Sequence, residues 1–475
     1  MKKNNIEKFS PSTNIKLYDV DIMSPEEVNG ICSNAKIAFE NWKKTSLEDR
    51  KAYLRSLINV IHNNSDRIIQ TIIMDVEKPL CEAETEIIEG CDILEYYCSE
   101  SFDGIDSPIE IVINKDVWPK KKAYGLYQPN GVYAVIKPWN YPFELNLWAI
   151  APLLLAGNTV VYKPSELSTA TGLLLGELIN MSGFPNGVFN IVQGDGSVGK
   201  ALLENKDVSG ISFTGSSRVG RAILENNKNL AKLSLEMGGS DYAIVLADEI
   251  DDITLPGVLW GSFSNAGQVC VAIEKVLISH KIYDDFIKKL VAETQKLVLH
   301  KEISPIISKE QYLHAKNIVD CAIKHGGKVL CGGGRSEEIQ LKDGNYMLPT
   351  IIEFKDYDFI SSVEELFAPI ILVAPFNDES DAVEIVNSSK YGLGCSVWTR
   401  NPEKYSLLYK ELDVGMIWIN EVNLPMPQVP WIGRKDSGFG FNLSKNAVYD
   451  SMNLKVIHVD EDTNKRSWWY PYFQE

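Results

Sequence analysis

One cysteine of the chain sits in a setting unlike the others. Cys270 lies in Ser264-Asn-Ala-Gly-Gln-Val-Cys-Val-Ala272, just after Gly267 and Gln268, and Glu236 lies upstream in Leu235-Glu-Met-Gly-Gly239. A thiolate is the strongest side-chain attacker of a carbonyl carbon, and a carboxylate can activate the water that completes such a reaction. Together the two residues suggest covalent catalysis. Singly they carry less: a free cysteine is ordinarily a small buried apolar side chain, and a glutamate ending a strand is ordinarily a solvated charge. The case depends on the elements that would bring them together.

The chain has 475 residues, enough for two or three domains at about 150 residues each. Hydrophobic residues make up 45% and charged residues 23%, so a sizeable core can be buried. Lys plus Arg total 47 against 64 Asp plus Glu, a net charge of −17, which argues against nucleic acid or a membrane as partner. The eight cysteines form no C-x-x-C pair, and the six histidines form no zinc pattern, so free thiols in a reducing compartment and no metal are expected. The N-terminus is charged without an apolar run, and the longest apolar stretch, Leu147 to Gly157, is too short to span a bilayer. A cytoplasmic enzyme is the resulting expectation.

Residues 24 to 102 read as helices, opened by a capping box at Ser24 and Glu27. The cysteines in this region fall mostly among apolar neighbours and read as core. Ile111 to Val117 and Ala123 to Tyr127 read as strands joined by Trp118-Pro-Lys-Lys-Lys122, whose lysines would guard an edge. From residue 131 the pattern alternates. Strands are expected at 132–136, 158–162, 188–192, 210–213 and 231–235, with helices at 145–156, 170–179, 199–204 and 219–226. Short connections between alternating units mean a doubly wound parallel sheet, which takes ligands beyond the carboxyl ends of its strands.

Gly194-x-Gly196-x-x-Gly199 has the spacing of a dinucleotide fingerprint but lacks the acidic residue that should follow about 20 positions on. Phe213-Thr-Gly215-Ser216 is the stronger pyrophosphate candidate: Gly215 admits the backbone, Ser216 adds a hydroxyl, and a helix begins there. A second α/β region follows, with strands at 242–246, 276–279 and 370–376, a strand segment at 326–330, and helices at 255–265, 284–297 and 381–388. A last strand is expected at 454–459. The aromatic tail Ser467-Trp-Trp-Tyr-Pro-Tyr-Phe473 suits packing against a partner or against the protein's own surface.

These stretches together resemble the aldehyde dehydrogenase superfamily, the NAD(P)-dependent, non-phosphorylating oxidisers of aldehydes. The likeness runs over nearly the whole chain. It rests on Pro138-Trp-Asn-Tyr-Pro142, Tyr162-Lys-Pro-Ser-Glu166, Phe213-Thr-Gly-Ser216, Leu235-Glu-Met-Gly-Gly239, Gly267-Gln-Val-Cys270, Glu364-Glu-Leu-Phe367 and Lys435-Asp-Ser-Gly-Phe-Gly440, all in order. The resemblance implies that Cys270 is the nucleophile, that Asn140 and the Cys270 backbone N–H hold the oxyanion, and that Glu236 is the base that activates the hydrolytic water. It implies that Lys163 and Glu166 hold the adenosine ribose, with Lys163 also belonging to the catalytic set. Gly215 and Ser216 would meet the pyrophosphate, Glu365 the nicotinamide ribose, and Phe367 the nicotinamide. Trp139, Ser165 and Gly196 complete the expected cofactor contacts.

Some positions depart from the family pattern. Ala368 follows Phe367 where glycine is usual, Ser240-Asp241 follows Gly239, Trp431-Ile432-Gly433 replaces Phe-Gly-Gly, and Phe441 replaces an arginine. Ala368 could change how the nicotinamide half seats. The Gly-Gly-Ser-Asp run looks like some bacterial semialdehyde oxidisers, so succinate semialdehyde is one expected substrate. Glu274-Lys275 falls where an arginine often serves carboxylated substrates.

The implied organisation is α/β throughout. It comprises a doubly wound NAD-binding domain (1–110 and 131–237), a second α/β catalytic domain (238–445), and a small β oligomerisation arm with the tail (111–130 and 446–475). A homodimer or homotetramer is expected from the arm. A carboxylate at Glu166 facing a ribose predicts NAD as cofactor, with NADP used at lower efficiency. The rival readings are a CoA-acylating aldehyde dehydrogenase, against which Glu236 speaks, and a non-catalytic binding or structural protein on the same fold.

Overall fold

The computed structural model describes residues 5–466 apart from 248–250, 337, 339–340, 356 and 465. The aromatic stretch 467–473 lies outside the described residues.

Runs of apolar, β-branched residues too short for helices become the strands of two parallel sheets. The first sheet runs, edge to edge, Gly438–Phe439, Lys232–Glu236, Val208–Thr214, Val132–Ile136, Thr159–Lys163 and Phe189–Ile191. All of its neighbours are parallel except the short Gly438–Phe439, which returns antiparallel from far down the chain. The sheet order turns at Val132–Ile136: the next strand in sequence lies on one side of it and Val208–Thr214 on the other. A crevice opens beyond the carboxyl ends of the strands at such a point. The residues that follow Ile136 and Glu236 line it.

The second sheet runs Lys328–Cys331, Thr350–Glu353, Ile370–Phe376, Ile273–Ser279, Asp241–Val245, Gly394–Trp398 and Met416–Ile419. Only Lys328–Cys331 is antiparallel to its neighbour. Three of these strands, Thr350–Glu353, Gly394–Trp398 and Met416–Ile419, have no counterpart in the sequence reading, nor do the helices Lys309–Lys324 and Pro402–Glu411. The strands are short, and Gly394-Cys-Ser-Val-Trp398 mixes small and polar residues that carry no clear period. The second helix did carry a start signal, Pro402 in its first turn behind an Asn401 cap.

The β arm corrects one expectation. Ile111 to Val117 is not a strand. The strand is Ile109–Ile111, paired Ile109↔Gly125 and Ile111↔Ala123 with Lys121–Pro129. Asn114 ends the extended run, because its side-chain oxygen accepts the Asp116 N–H at 2.9 Å and closes a turn. Lys121–Pro129 pairs along its length with Met452–Asp460. Lys121 and Lys122 form ion pairs with Asp460 and Glu461 rather than a bare edge guard.

Among the cysteines of the helical region, Cys32, Cys91 and Cys98 are buried as expected, and Cys81 is exposed. The helix Leu80–Tyr97 that carries Cys81 packs against Glu144–Leu155. A fully buried ion pair joins the start of these two elements. Lys78 Nζ lies 2.5 Å from Glu86 Oε1, and Glu86 Oε2 accepts the Phe143 and Glu144 N–H groups at 2.9 and 3.1 Å. The Lys78 ammonium also sits 4.0 Å from the centre of the Tyr141 ring. The loop from Pro138 to Phe143, which carries Asn140, is pinned from beneath by this pair. No helix among the described residues is long and apolar enough to cross a membrane.

Candidate active site

Cys270 follows a turn that the backbone would not choose by itself. The helix Asp251–Phe263 runs into Ser264–Gly267, where Asn265, Ala266 and Gly267 have φ of 47°, 55° and 70°. A left-handed residue other than glycine costs about 1–2 kcal/mol. Buried amides hold the turn in place. The Asn265 N–H donates to Glu82 Oε1 at 3.0 Å, and its carboxamide N–H₂ donates to the carbonyls of Asn140 and Gln268 at 3.1 and 3.2 Å. Gln268 donates back to the Asn265 carbonyl at 3.0 Å and accepts the Ile307 N–H at 2.9 Å. Gly267 has no alternative here: a Cβ would run into the Ala368 carbonyl. Gly239 is constrained in the same way by the Cys270 carbonyl.

The structure brings Cys270, Glu236 and Asn140 together. Asn140 is buried, and its Nδ2 donates to the Gln268 carbonyl at 3.0 Å, which leaves the second hydrogen of that amide for another acceptor. Glu236 ends the strand Lys232–Glu236 and is 4% exposed, and neither of its carboxylate oxygens has a partner. Burial pushes its carboxyl well above the usual carboxylate range, and the Lys137 ammonium pulls it partly back. The Cys270 thiol is pushed up first by burial and then by the carboxylates of Asp241, Glu365 and Glu236. The Val271 backbone N–H pulls it partly back. Burial thus works against the thiolate that attack requires.

The residues expected at the cofactor lie along the crevice. Gly215 leaves no room for a side chain, since a Cβ would sit 2.7 Å from the Phe213 ring. Ser216 caps the helix Ser217–Asn226 through the Val219 N–H, so the loop opens onto a helix N-terminus. Lys163 ends its strand buried, 3.5 Å from Glu166 Oε2. Ser165 is engaged locally, its hydroxyl accepting the Leu167 N–H at 3.2 Å. At Gly196 the helix Gly196–Glu204 begins, but Asp195 already caps it through Ser197 N–H, and a side chain at 196 would meet nothing. A capping carboxylate occupies the place a phosphate would take, so the crevice geometry favours the Gly215 loop over the Gly194–Gly199 run.

Trp139 and Phe367 meet edge to face at 5.6 Å. Phe367 has φ of 47°, and the turn it makes is held by buried Glu274, whose Oε1 accepts the Leu366 and Phe367 N–H groups at 2.6 and 3.0 Å. The Glu365 carboxylate lies against Gly238. Ala368, the departure from glycine, is buried in the core of the second sheet. Ser240 joins Glu274 and Lys275 in a buried polar cluster, while Asp241 accepts the Gly394 N–H at 3.0 Å. The Ser240-Asp241 departure is therefore structural. Lys275 donates to Ser240 and to the Val363 carbonyl and does not line the cavity described next.

A cavity of about 330 Å³ ends at Cys270. Tyr141, Trp148, Trp260 and Trp431 give it aromatic walls. Glu82, Glu89 and Glu144 add carboxyl groups. Trp148 and Trp431 stack edge to face at 4.9 Å, and the Trp148 indole N–H donates to Glu144 Oε1 at 2.8 Å. Burial pushes the Glu89 and Glu144 carboxyls up, and the hydrogen bond between them raises Glu144 while it lowers Glu89. Trp431 stood out in the sequence only as a departure from the family pattern and Tyr141 only as part of a motif. Glu82, Glu89, Glu144, Trp148 and Trp260 were not singled out, because tryptophans and glutamates on helices read as core and as solvated face. Lys137 was also missed. Its signal was a lysine closing the apolar run Val132-Tyr-Ala-Val-Ile136 directly before Pro138-Trp-Asn140.

The crevice, the thiol and the cavity define an enzyme that does chemistry on a carbonyl beside a bound dinucleotide. The chain belongs to the aldehyde dehydrogenase family, whose sequence model matches residues 1–457. It is 34% identical to aminoaldehyde dehydrogenase 1, peroxisomal, of Pisum sativum, over 98% of this chain and 94% of that one. It is 32% identical to the chloroplastic betaine aldehyde dehydrogenase of Amaranthus hypochondriacus, over 99% and 96%. Among solved structures, betaine aldehyde dehydrogenase from Staphylococcus aureus in complex with NAD+ superposes with a TM-score of 0.93 at 28% identity, covering 99% of this chain and 94% of that one. The protein is an NAD-binding, aldehyde-oxidising oxidoreductase.

Gly267→Ala tests the left-handed turn. The added methyl meets the Ala368 carbonyl and forces the turn to move, and a displacement of about 1 Å costs roughly 100-fold in rate. A kcat/KM for aldehyde oxidation lowered by about that factor is expected. A wild-type value in a folded Gly267→Ala protein would show that the turn does not set the position of Cys270.

Proposed function

We propose that this enzyme oxidises a cationic aldehyde, an ω-ammonium or quaternary ammonium aldehyde, to its carboxylic acid. The carrying observation is the cavity at Cys270, with its four aromatic rings and three carboxyl groups. An aromatic face attracts an ammonium, by about 0.5–2 kcal/mol per ring. Any of these carboxyls that ionises adds to that attraction and repels an anionic substrate. Succinate semialdehyde has no cation to meet in this cavity, since Lys275 is committed elsewhere. Relatives named for betaine aldehyde and aminoaldehyde oxidation fit the same chemistry.

In the proposed mechanism the Cys270 thiol gives up its proton to water and its sulfur attacks the aldehyde carbon. The Asn140 amide and the Cys270 backbone N–H hold the oxyanion, each donor being worth roughly 3 kcal/mol. Bound NAD supplies the hydride acceptor. Lys163 and Glu166 would hold its adenosine ribose, Gly215 and Ser216 its pyrophosphate, and Trp139, Glu365 and Phe367 its nicotinamide half. Glu166 disfavours a 2′-phosphate, so NADP serves less well. The resulting thioester is hydrolysed by water: its oxygen bonds to the acyl carbon, the C–S bond breaks, and the proton goes to Glu236. Unpartnered and buried, the Glu236 carboxylate has no competing hydrogen bond to give up first.

Eight free thiols suit a reducing compartment, and we place the enzyme in the cytoplasm on that ground. We also propose that it works as a dimer or tetramer through the β arm. The strand Met452–Asp460 is nine residues long, lies at the edge of its sheet, and exposes Leu454, Val456 and Val459. An edge of that length is left unpaired only at the risk of aggregation.

A series of aldehydes matched in length but differing in terminal charge tests the substrate class. kcat/KM for NADH formation should fall from an ammonium terminus to a neutral one to a carboxylate, with at least about tenfold between the first and the last. The same rates are expected with and without CoA, and a preference for the carboxylate would overturn the reading. Light scattering at micromolar concentration should give a dimer or tetramer mass, and a monomer mass would remove the arm from the assembly.

A further inference from the structure

We propose that Lys137 is a positioning residue for the deacylation base, its buried ammonium supplying the counter-charge for the Glu236 carboxylate across the mouth of the first sheet. This rests on the reading of Glu236 as that base. Lys137 directly follows the strand Val132–Ile136, at the point where the sheet order turns, and its backbone N–H donates to the Lys163 carbonyl at 3.3 Å. It is 3% exposed. A lysine is almost never buried to that degree unless paired. Its ammonium donates to Ser212 Oγ at 3.2 Å and to Thr214 Oγ1 at 2.8 Å, two neutral hydroxyls on the strand Val208–Thr214. Hydroxyls satisfy hydrogen bonds but not charge, and a buried cation needs an anion within reach.

Glu236 answers that need. Thr214, which holds the ammonium, is the residue directly beside Glu236 in the parallel pairing of Val208–Thr214 with Lys232–Glu236. Glu236 has no hydrogen-bond partner for either oxygen. The charge that acts on Glu236 is Lys137, from the end of the central strand. Glu236 in turn acts on the Cys270 thiol of the left-handed turn, as do Asp241 and Glu365. Burial pulls the Lys137 ammonium down to about 7, and Glu236 is the one group that pushes it back up. The dependence is mutual: each of the two buried groups favours the charged form of the other.

The consequence is in the pH profile. The carboxyl of Glu236 is raised by burial, so base catalysis is lost as pH falls through that raised value. Without the cation the value rises further, and the acid limb moves to higher pH. An opposite charge at close range is worth about 1–3 units. Acylation does not use Glu236 as base and should not follow.

The test is the pH dependence of steady-state turnover set beside the pre-steady-state NADH burst. Lys137→Gln keeps hydrogen bonding to Ser212 and Thr214 but carries no charge. Its acid limb should lie about one unit or more above that of the parent enzyme, with burst amplitude retained. Lys137→Arg, which keeps the charge, should stay near the parent. A purely structural lysine would lower the melting temperature and the burst amplitude and leave the limb in place, and that result overturns the proposal. If neither variant folds, Thr214→Val frees the ammonium from its anchor, and an unmoved limb there overturns it equally. A Glu236→Gln enzyme with the parent's steady-state rate would instead defeat the assignment of the base, before Lys137 is reached.

Discussion

The site depends on a backbone turn that is unfavourable on its own terms. Asn265, Ala266 and Gly267 stand consecutively in the left-handed region, and only this path carries the chain from the helix Asp251–Phe263 to a thiol facing the crevice. The strain is met by hydrogen bonds that reach into three other parts of the molecule. Glu82 comes from the helical region, the Asn140 carbonyl from the loop after the central strand of the first sheet, and the Ile307 N–H from the second α/β region. The same bonds therefore set the distance between the thiol and Asn140. Beneath the Asn140 loop, the buried Lys78–Glu86 pair fixes the start of the next helix. Removing one partner of such a pair typically costs about 3–5 kcal/mol, so this support is rigid.

Electrostatics divide the site in two. Around Cys270, burial and the acidic side chains of Asp241, Glu365 and Glu236 all act against the thiolate. Around Glu236 the one acting charge is a lysine on the sheet behind it. In the cavity itself, carboxyl groups stand beside aromatic rings, a surface that rewards a cation and penalises an anion. Cys270, Glu236 and the cavity thus each have their own electrostatic environment within one crevice.

Much of this was legible from residue order. The β–α alternation after residue 131 gave the first sheet, because parallel strands buried on both faces are continuous apolar runs such as Val132-Tyr-Ala-Val-Ile136. Cys270, Glu236 and Asn140 stood out through their flanking motifs. What was not legible depended on contacts between distant segments. Glu274 reads as half of a charge pair at the pocket, yet it folds the turn that aims Phe367. Trp148 lies within the expected helix 145–156 and Glu144 just before it, and nothing in the sequence shows that both face the cavity. Ile111 to Val117 read as a strand because it opens with the β-branched run Ile111-Val-Ile113, and a single side-chain turn at Asn114 ended it. Lys137 was hidden because one lysine at a strand end is usually solvated, and only the sheet order shows that this end is buried.

The central claim is that aldehyde oxidation passes through an acyl group carried on Cys270 and released by Glu236. Mass spectrometry reads it directly. Glu236→Gln protein would be mixed with NAD and a good aldehyde, quenched in acid within the first turnover, and digested. The account predicts a near-stoichiometric acyl adduct on the peptide containing Cys270, absent when NAD is omitted. An adduct on another residue, or no adduct while NADH continues to form at the parent's rate, would contradict it.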